Sequence, residues 1–467
     1  MNLRELAVVA AVLFGQTFAA TSAFAVTDEE IFRDLRFNFI NPGGRSLAMG
    51  GAFISLANDA TAAQANPAGL TTMLSPQLFA EIRFANPDKV STDTSFRDPI
   101  TPTDGFDVAV KTTPSAIVSP SFLSFTYPLD RLSFAASRHE VINIDNRTSS
   151  TYEFLSGVQS DIRRSEGNIE LKLVNWNLSA AYRLHEQFRV GLTVSYGVLD
   201  LTSSVVNSYV DPTGNIIGAP EFAGVPLEMY RTTTDDRDSD ITITAGLLWS
   251  ITDTITIGAS YRQGGSFAVQ QTLSSNPINS AIIPGAINST VFFNESGTVL
   301  TTANNSFAFD NEFNIPDVTT VGISWQPLPQ LTLALDAAEI AYSDLLDGFN
   351  SRLNVLTAGF VNESDALFTV ADQTNLHFGA EYTLALDQGT LVFLRAGFHQ
   401  DKDNRVRSDF APGGFGLASN DNFPVSEDTD HYSLGVGLVV GNNFQLDVAA
   451  DFSDTGTEGV ASLIYKF

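Results

Sequence analysis

The sequence contains no cysteine. A disulfide-stapled scaffold, a thiolate metal centre and cysteine catalysis are therefore excluded, and the absence suits an exported chain that must avoid mispairing. Positive charge is scarce as well: 25 Lys+Arg stand against 53 Asp+Glu, for a net charge of −28. Phosphates would be repelled, so no nucleic-acid partner is expected. No apolar run beyond the N-terminus approaches the roughly 18 residues that a membrane-spanning helix needs. A helical inner-membrane protein is excluded on that ground.

Residues 1–25 read as a secretory leader, with Arg4 in a weakly positive start, an apolar run from Leu6 to Phe14, and Ala23-Phe24-Ala25 as a small-x-small cleavage site. The mature chain is expected to begin at Val26. A secreted soluble protein, a periplasmic protein and an outer-membrane barrel remain open.

Alternation separates these, because a barrel wall in lipid shows an apolar residue at every second position while the others face the lumen. Phe188-Arg189-Val190-Gly191-Leu192-Thr193-Val194-Ser195-Tyr196 and Phe444-Gln445-Leu446-Asp447-Val448 do so. The pattern predicts fourteen antiparallel strands at 77–84, 120–127, 131–138, 169–182, 188–200, 241–251, 255–264, 317–326, 331–341, 375–384, 391–399, 431–440, 444–452 and 460–467. Short turns such as 128–130 and 441–443 alternate with long connections such as 201–240 and 265–316, which places the turns in the periplasm. Tyr127, Tyr182, Trp249, Trp325 and Tyr382 form one expected aromatic girdle, and Tyr196, Tyr261, Phe398 and Phe452 the other. The terminal Phe467, with Tyr465 and Leu463 on its face, resembles the signal read by the outer-membrane barrel assembly machinery.

Residues 26–76 differ in composition and are rich in small side chains. Such a segment is too small to build its own core, and a fourteen-stranded barrel would leak unless filled. The segment is therefore expected to be an N-terminal hatch inside a barrel formed by residues 77–467.

Gly44-Arg45-Ser46-Leu47-Ala48-Met49-Gly50-Gly51-Ala52-Phe53, followed by Asn66-Pro67-Ala68-Gly69-Leu70, resembles the hatch signature of the FadL-type long-chain fatty acid transporter family. Leu333-Ala334-Leu335-Asp336 and Leu394-Arg395-Ala396-Gly397-Phe398 resemble that family's later strands. The resemblance implies a plugged 14-stranded barrel in the outer membrane, passively transporting long-chain fatty acids or aromatic hydrocarbons. It also implies that Asn66, Pro67 and Ala68, with Gly50 and Gly51, stand close to the ligand path. Asp28-Glu29-Glu30 departs from the small and apolar start of family members. Proteins with a similar hatch also serve in secretion or lipid modification, so a non-transporting barrel that docks a protein partner is the alternative. The protein is expected to be a monomer without a cofactor.

Three further readings concern side chains. Arg83, Arg189 and Arg395 face the lumen by parity and are candidate partners for a fatty-acid carboxylate, although Glu81 and Glu381 also suit Arg83 and Arg395. Lys172 shares the parity of lipid-facing Trp176 and is not added. His377, His399 and His431 point inward on neighbouring strands and are read as polar lumen wall, with no metal and no catalysis expected. The acidic run 235–240 is read as solvated loop.

The third strand breaks its own pattern. Leu132, Phe134 and Ala136 set an outward parity that then carries Arg138 and Glu140, and Ile142 and Ile144 continue it. An unchanged parity argues against a one-residue bulge, so a kink is expected at Ala136, Ser137, Arg138, His139 and Glu140. Irregular backbone at that depth needs protein or a wet cavity beside it, which implies an opening in the wall. In the resembling family such a kink makes a lateral exit into the membrane. The alternative is that the strand has already left the membrane near Arg138.

Overall fold

The computed structural model describes residues 37–467 apart from 98–104, 157–158, 214–219, 276–290, 294–298, 302–305, 348–367, 387–388, 409–427 and 442. The leader and Asp28-Glu29-Glu30 lie outside the described residues. Its first strands are β1 Gln77–Pro87, β2 Val90–Arg97, β3 Gly105–Pro114, β4 Ile117–Leu129, β5 Leu132–Ser156, β6 Gln159–His185 and β7 Phe188–Val210. Next come β8 Pro226–Ser250, β9 Ile255–Arg262, β10 Ser266–Ser275, β11 Val291–Phe293, β12 Val299–Thr301, β13 Ser306–Asn314, β14 Val318–Leu328 and β15 Leu331–Ile340. The remainder are β16 Phe368–Thr369, β17 Gln373–Ala385, β18 Leu391–Asp401, β19 Arg407–Ser408, β20 Thr429–Val440, β21 Phe444–Ser453 and β22 Gly456–Lys466.

Fourteen of them close an antiparallel barrel: β1, β4 to β9, β14, β15, β17, β18 and β20 to β22. Each expected strand corresponds to one of these. The seam is antiparallel pairing of β1 with β22, from Gln77 opposite Lys466 to Pro87 opposite Gly456. Alternation governs the wall as expected: on β1, Phe79 and Glu81 are buried while Leu78 and Ile82 are exposed to the lipid side. Tyr127, Tyr182, Trp249, Trp325 and Tyr382 are likewise exposed, at the end of the barrel that carries the short turns. This is the outer face an apolar solvent requires.

Strand length departs from expectation on one side. β5, β6, β7 and β8 run for 25, 27, 23 and 25 residues, far beyond the roughly 9 to 11 needed to cross the hydrocarbon. Much of the expected loops 201–240 and 265–316 is thus strand, because β7 and β8 keep pairing to Val210 opposite Pro226 and β10 pairs with β13. The acidic run, too, is not loop. It lies on β8, and the carboxylates of Asp236, Asp238 and Asp240 accept the backbone N–H groups of Gln270, Ala268 and Ser266 at 2.8, 2.8 and 3.0 Å. Side chains there replace the backbone ladder, which pairs β8 with β10 only from Tyr230 to Thr234.

Inside the wall lies the described segment before β1, residues 37–76, containing helix α1 Gly44–Ala48, helix α2 Ala62–Ala65 and a 3₁₀ turn Pro67–Thr72. Ala48, Met49, Phe53, Ala62, Ala68 and Leu70 have no solvent exposure. Its small side chains allow the close approach: α1 packs on β18, β20, β21 and β22, and the 3₁₀ turn on β6, β7 and β8. Beyond it toward the long-loop end, Ile169, Leu171, Leu199, Leu201, Phe267 and Phe313 belong to a second apolar cluster, which includes Phe37.

Candidate functional site

Asn66, Pro67 and Ala68 dock the inner segment against the wall. Asn66 Nδ2 donates to Ile54 O and to Leu247 O, each at 3.0 Å, while its Oδ1 accepts Ala68 N–H at 3.2 Å and caps the 3₁₀ turn. The dock needs bare backbone opposite: a Cβ at Gly246 would collide with Asn66 Oδ1, and one at Gly191 with the Pro67 carbonyl carbon. These residues line neither of the two cavities described below. Gly50 and Gly51 adopt left-handed backbone, with φ of 62° and 83°, which favours glycine. They abut β18 and β17, where Gly50 O lies 2.9 Å from His377 Nδ1.

An ionic chain ties the same segment to the wall. Arg45 on α1 meets Glu381 at 2.9 Å, Glu381 meets Arg395 at 2.7 Å, and Arg395 meets Asp447 at 2.5 Å. Burial opposes the charge on Arg45, but Glu381 and Asp59 hold its pKa above the ordinary guanidinium value. Gly43 N–H adds a hydrogen bond to Glu81.

Of the candidate cations, Arg395 is thus consumed by two carboxylates, and Arg83 meets Glu81 at 3.3 Å and Glu458 at 3.1 Å. Arg189 lies at the short-turn end, where it donates to Ser250 Oγ at 3.1 Å, and it lines neither cavity. The structure brings none of the three to a ligand uncompensated. Arg262, which the sequence reading passed over, is different. It lines the smaller cavity, of about 40 Å³, donates to Phe39 O at 3.3 Å and lies over the Phe39 ring, 5.6 Å from its centroid. Among the described residues no carboxylate pairs with it. Parity offered the signal, since Ile257, Ala259 and Tyr261 face outward and leave Arg262 inward.

The larger cavity, of about 280 Å³, extends from Phe37 and Ile40 to Arg83, His399, Asp401 and His431. It also reaches Ser119 on β4 and Ile142 on β5. Here the wall is incomplete. β4 and β5 pair from Leu129 opposite Leu132 to Phe122 opposite His139. Pairing on that side of β5 returns only at Ser115 N–H to Asp145 O, 2.8 Å, and then with β3 at Pro114 opposite Asn146. Pro120, which has no N–H to donate, stands in the interval.

The expected kink is a bulge. Glu140 pairs with Val174 and Ile142 with Leu173, leaving Val141 extra on β5. The expectation of an unbroken parity rests on Ile142 and Ile144 facing lipid. That premise is wrong: Ile142 is 5% exposed and joins the inner apolar cluster, with Ile144 packed against it. β6 keeps one parity throughout, so Lys172 does stay on the outward face, half exposed. Ala136 lies on the regular, outward part of β5, whereas Ser137 and His139 face inward and are buried. Arg138 and Glu140 keep the outward parity but neutralise each other beside the opening. Glu140 accepts from Ser119, from Asn143 at 2.9 Å and from Arg138 at 3.3 Å, and meets Lys172 at 3.2 Å.

A family model described as outer membrane protein transport protein (OMPP1/FadL/TodX) matches residues 35–453. The chain is similar in structure to a Pseudomonas aeruginosa FadL homologue, at TM-score 0.60 and 13% identity over 93% of this chain and 100% of that one. The Ralstonia pickettii toluene transporter TbuX aligns at TM-score 0.57 and 17% identity, covering 92% and 99% of the two chains. The Pseudomonas putida toluene transporter TodX aligns at TM-score 0.53 and 16% identity, with the same coverage of 92% and 99%. At such identities the likeness speaks for the fold. No curated protein matches the sequence.

Proposed function

Because the chain belongs to the OMPP1/FadL/TodX family of outer membrane transport proteins, we propose that it carries long-chain fatty acids across the outer membrane by passive uptake. Cargo is captured at the long-loop end, where the extended strands enclose apolar surface, and moves down to the two cavities. The inner segment 26–76 acts as a hatch whose rearrangement opens the path. Release is sideways, between β4 and β5, so that an apolar chain never crosses the aqueous periplasm. No catalytic step and no energy source are needed.

The observation that carries this reading is the continuity of one cavity from the apolar cluster at Phe37 and Ile142 to the unpaired edge of β4 and β5. A sealed, uniformly polar lumen would instead suit a docking barrel. Arg262 supports an acidic headgroup, since a half-buried guanidinium that no carboxylate pairs with among the described residues offers a charge that a fatty-acid carboxylate complements. Relatives described as toluene transporters make an aromatic hydrocarbon the competing cargo. The barrel acts as a monomer, and Phe467 serves the assembly machinery.

Uptake of labelled oleate by cells with and without the protein tests the proposal. Oleate uptake that depends on the protein and is not displaced by excess toluene is expected; protein-dependent toluene uptake without oleate uptake transfers the proposal to aromatic cargo. Loss of neither on deletion removes the transport reading.

A further inference from the structure

We propose that His399, Asp401 and His431 form a site for a single zinc ion on the wall of the larger cavity. The strand pairing assembles it. His399 on β18 stands opposite His431 on β20, and Asp401 follows His399 by two residues, which returns it to the same face of the sheet. One ligand atom from each of the three lies within 4.8 Å of the others. Two ligands on one tetrahedral zinc ion, each about 2.0 to 2.1 Å from it, stand about 3.4 Å apart. Side-chain rotation of about an ångström is enough to close the set.

Two observations separate this group from a merely polar wall. His399 is 1% exposed, yet its Nδ1 is buried without a hydrogen-bond partner among the described residues. Its ring stacks on His431, with centroids 4.1 Å apart and 18° between the planes, so the neighbouring imidazole approaches face-on and cannot supply the missing bond. His431, by contrast, is oriented as a metal ligand is. Its Nδ1 lies 2.7 Å from Asp451 Oδ2, which leaves Nε2 directed toward Asp401, 3.6 Å away. A carboxylate behind a ligating imidazole fixes its tautomer and raises its basicity. Asp451 is itself held by Ser433 Oγ at 2.5 Å. His377 continues the stack at 5.4 Å from His399 but is engaged with Gly50 O, and it is not part of the set.

The donor set narrows the ion to the imidazole-binding divalent metals, of which zinc is the one proposed. Two imidazoles and one carboxylate, in a chain without a thiol, suit zinc and disfavour calcium and magnesium, which require oxygen ligands. The fourth position faces the cavity, which all three residues line. An ion there ties β18 to β20 and, through Asp451, to β21.

The test uses the full mature chain, purified in detergent without a polyhistidine tag and stripped with EDTA. Calorimetric titration with zinc chloride is expected to show one ion per barrel. His399→Gln and His431→Gln should each weaken binding at least tenfold, and Asp451→Asn about tenfold. His185→Gln, on an exposed residue near the opposite rim, should leave it unchanged. Binding that is absent, or equal in wild type and both histidine variants, overturns the proposal. Zinc X-ray absorption on the loaded wild type needs no variant and decides even where a variant fails to fold: a first shell with two imidazoles supports the site, and an oxygen-only shell refutes it.

Discussion

Gly246 lies directly against the Asn66 side chain, so close that a single added carbon would stand 2.2 Å from Asn66 Oδ1, well inside contact distance. The inner segment's side chains there meet bare wall backbone. Gly246→Val should therefore push the 3₁₀ turn off β8 while the barrel, whose pairing runs through the backbone, still closes. The expected result is heat-modifiable migration like the wild type and a raised single-channel conductance in planar bilayers. Unchanged conductance would mean that the dock does not seal the lumen.

Glu381 is the shared partner of Arg45 and Arg395, and its side chain is 6% exposed. Glu381→Gln leaves two buried guanidinium groups with less compensating charge, and loss of one partner in a buried pair costs about 3 to 5 kcal/mol. Thermal unfolding followed by gel migration should shift to lower temperature. Arg189→Gln, which removes a hydrogen bond to Ser250 and no ion pair among the described residues, should shift it far less.

Under the proposed function, Arg262 is expected to discriminate cargo by headgroup. Arg262→Ala should weaken oleate binding at least tenfold and leave binding of the uncharged oleyl alcohol nearly unchanged. Arg262→Lys should recover part of the loss, since it restores the charge but not the planar fork. Equal weakening for acid and alcohol would point to lost packing on Phe39 instead.

The interval between β4 and β5 can be closed chemically, because the chain offers no competing thiol. Ser119 and Asn143 both contact Glu140, from opposite sides of the opening. A Ser119→Cys and Asn143→Cys double variant joined by a short bifunctional maleimide should lose oleate uptake, whereas each single variant treated alike should retain it. Uptake that persists across a verified crosslink rules out sideways release at this place.

Much of this was legible in the chain. The fourteen wall strands, their girdles and the small-residue inner segment follow from alternation and composition, because a strand with lipid on one side and water or protein on the other has a period of two that few substitutions disturb. β5 shows where that reasoning fails. Ile142 and Ile144 look like a continued lipid face, since apolar residues suit an apolar cluster inside the barrel as well as lipid outside it. The bulge at Val141 changes which surface they meet, and periodicity alone cannot distinguish two apolar surroundings.

The cations show the same division. Parity placed Arg83 and Arg395 inward, and the sequence already contained Glu81 and Glu381 as partners. It did not show that Arg45, from a segment 336 positions away, would share Glu381, or that Arg262 would be left without a carboxylate among the described residues. Nor could it show that His399 and His431 stack, since that depends on the register of two strands joined by a long connection. The sequence by itself determined what repeats along the chain: strand count, wall faces and the outer-membrane class. Only the tertiary structure decided what depends on distance between remote residues, namely which charges compensate one another, where β4 and β5 part, and which polar atoms remain unmatched.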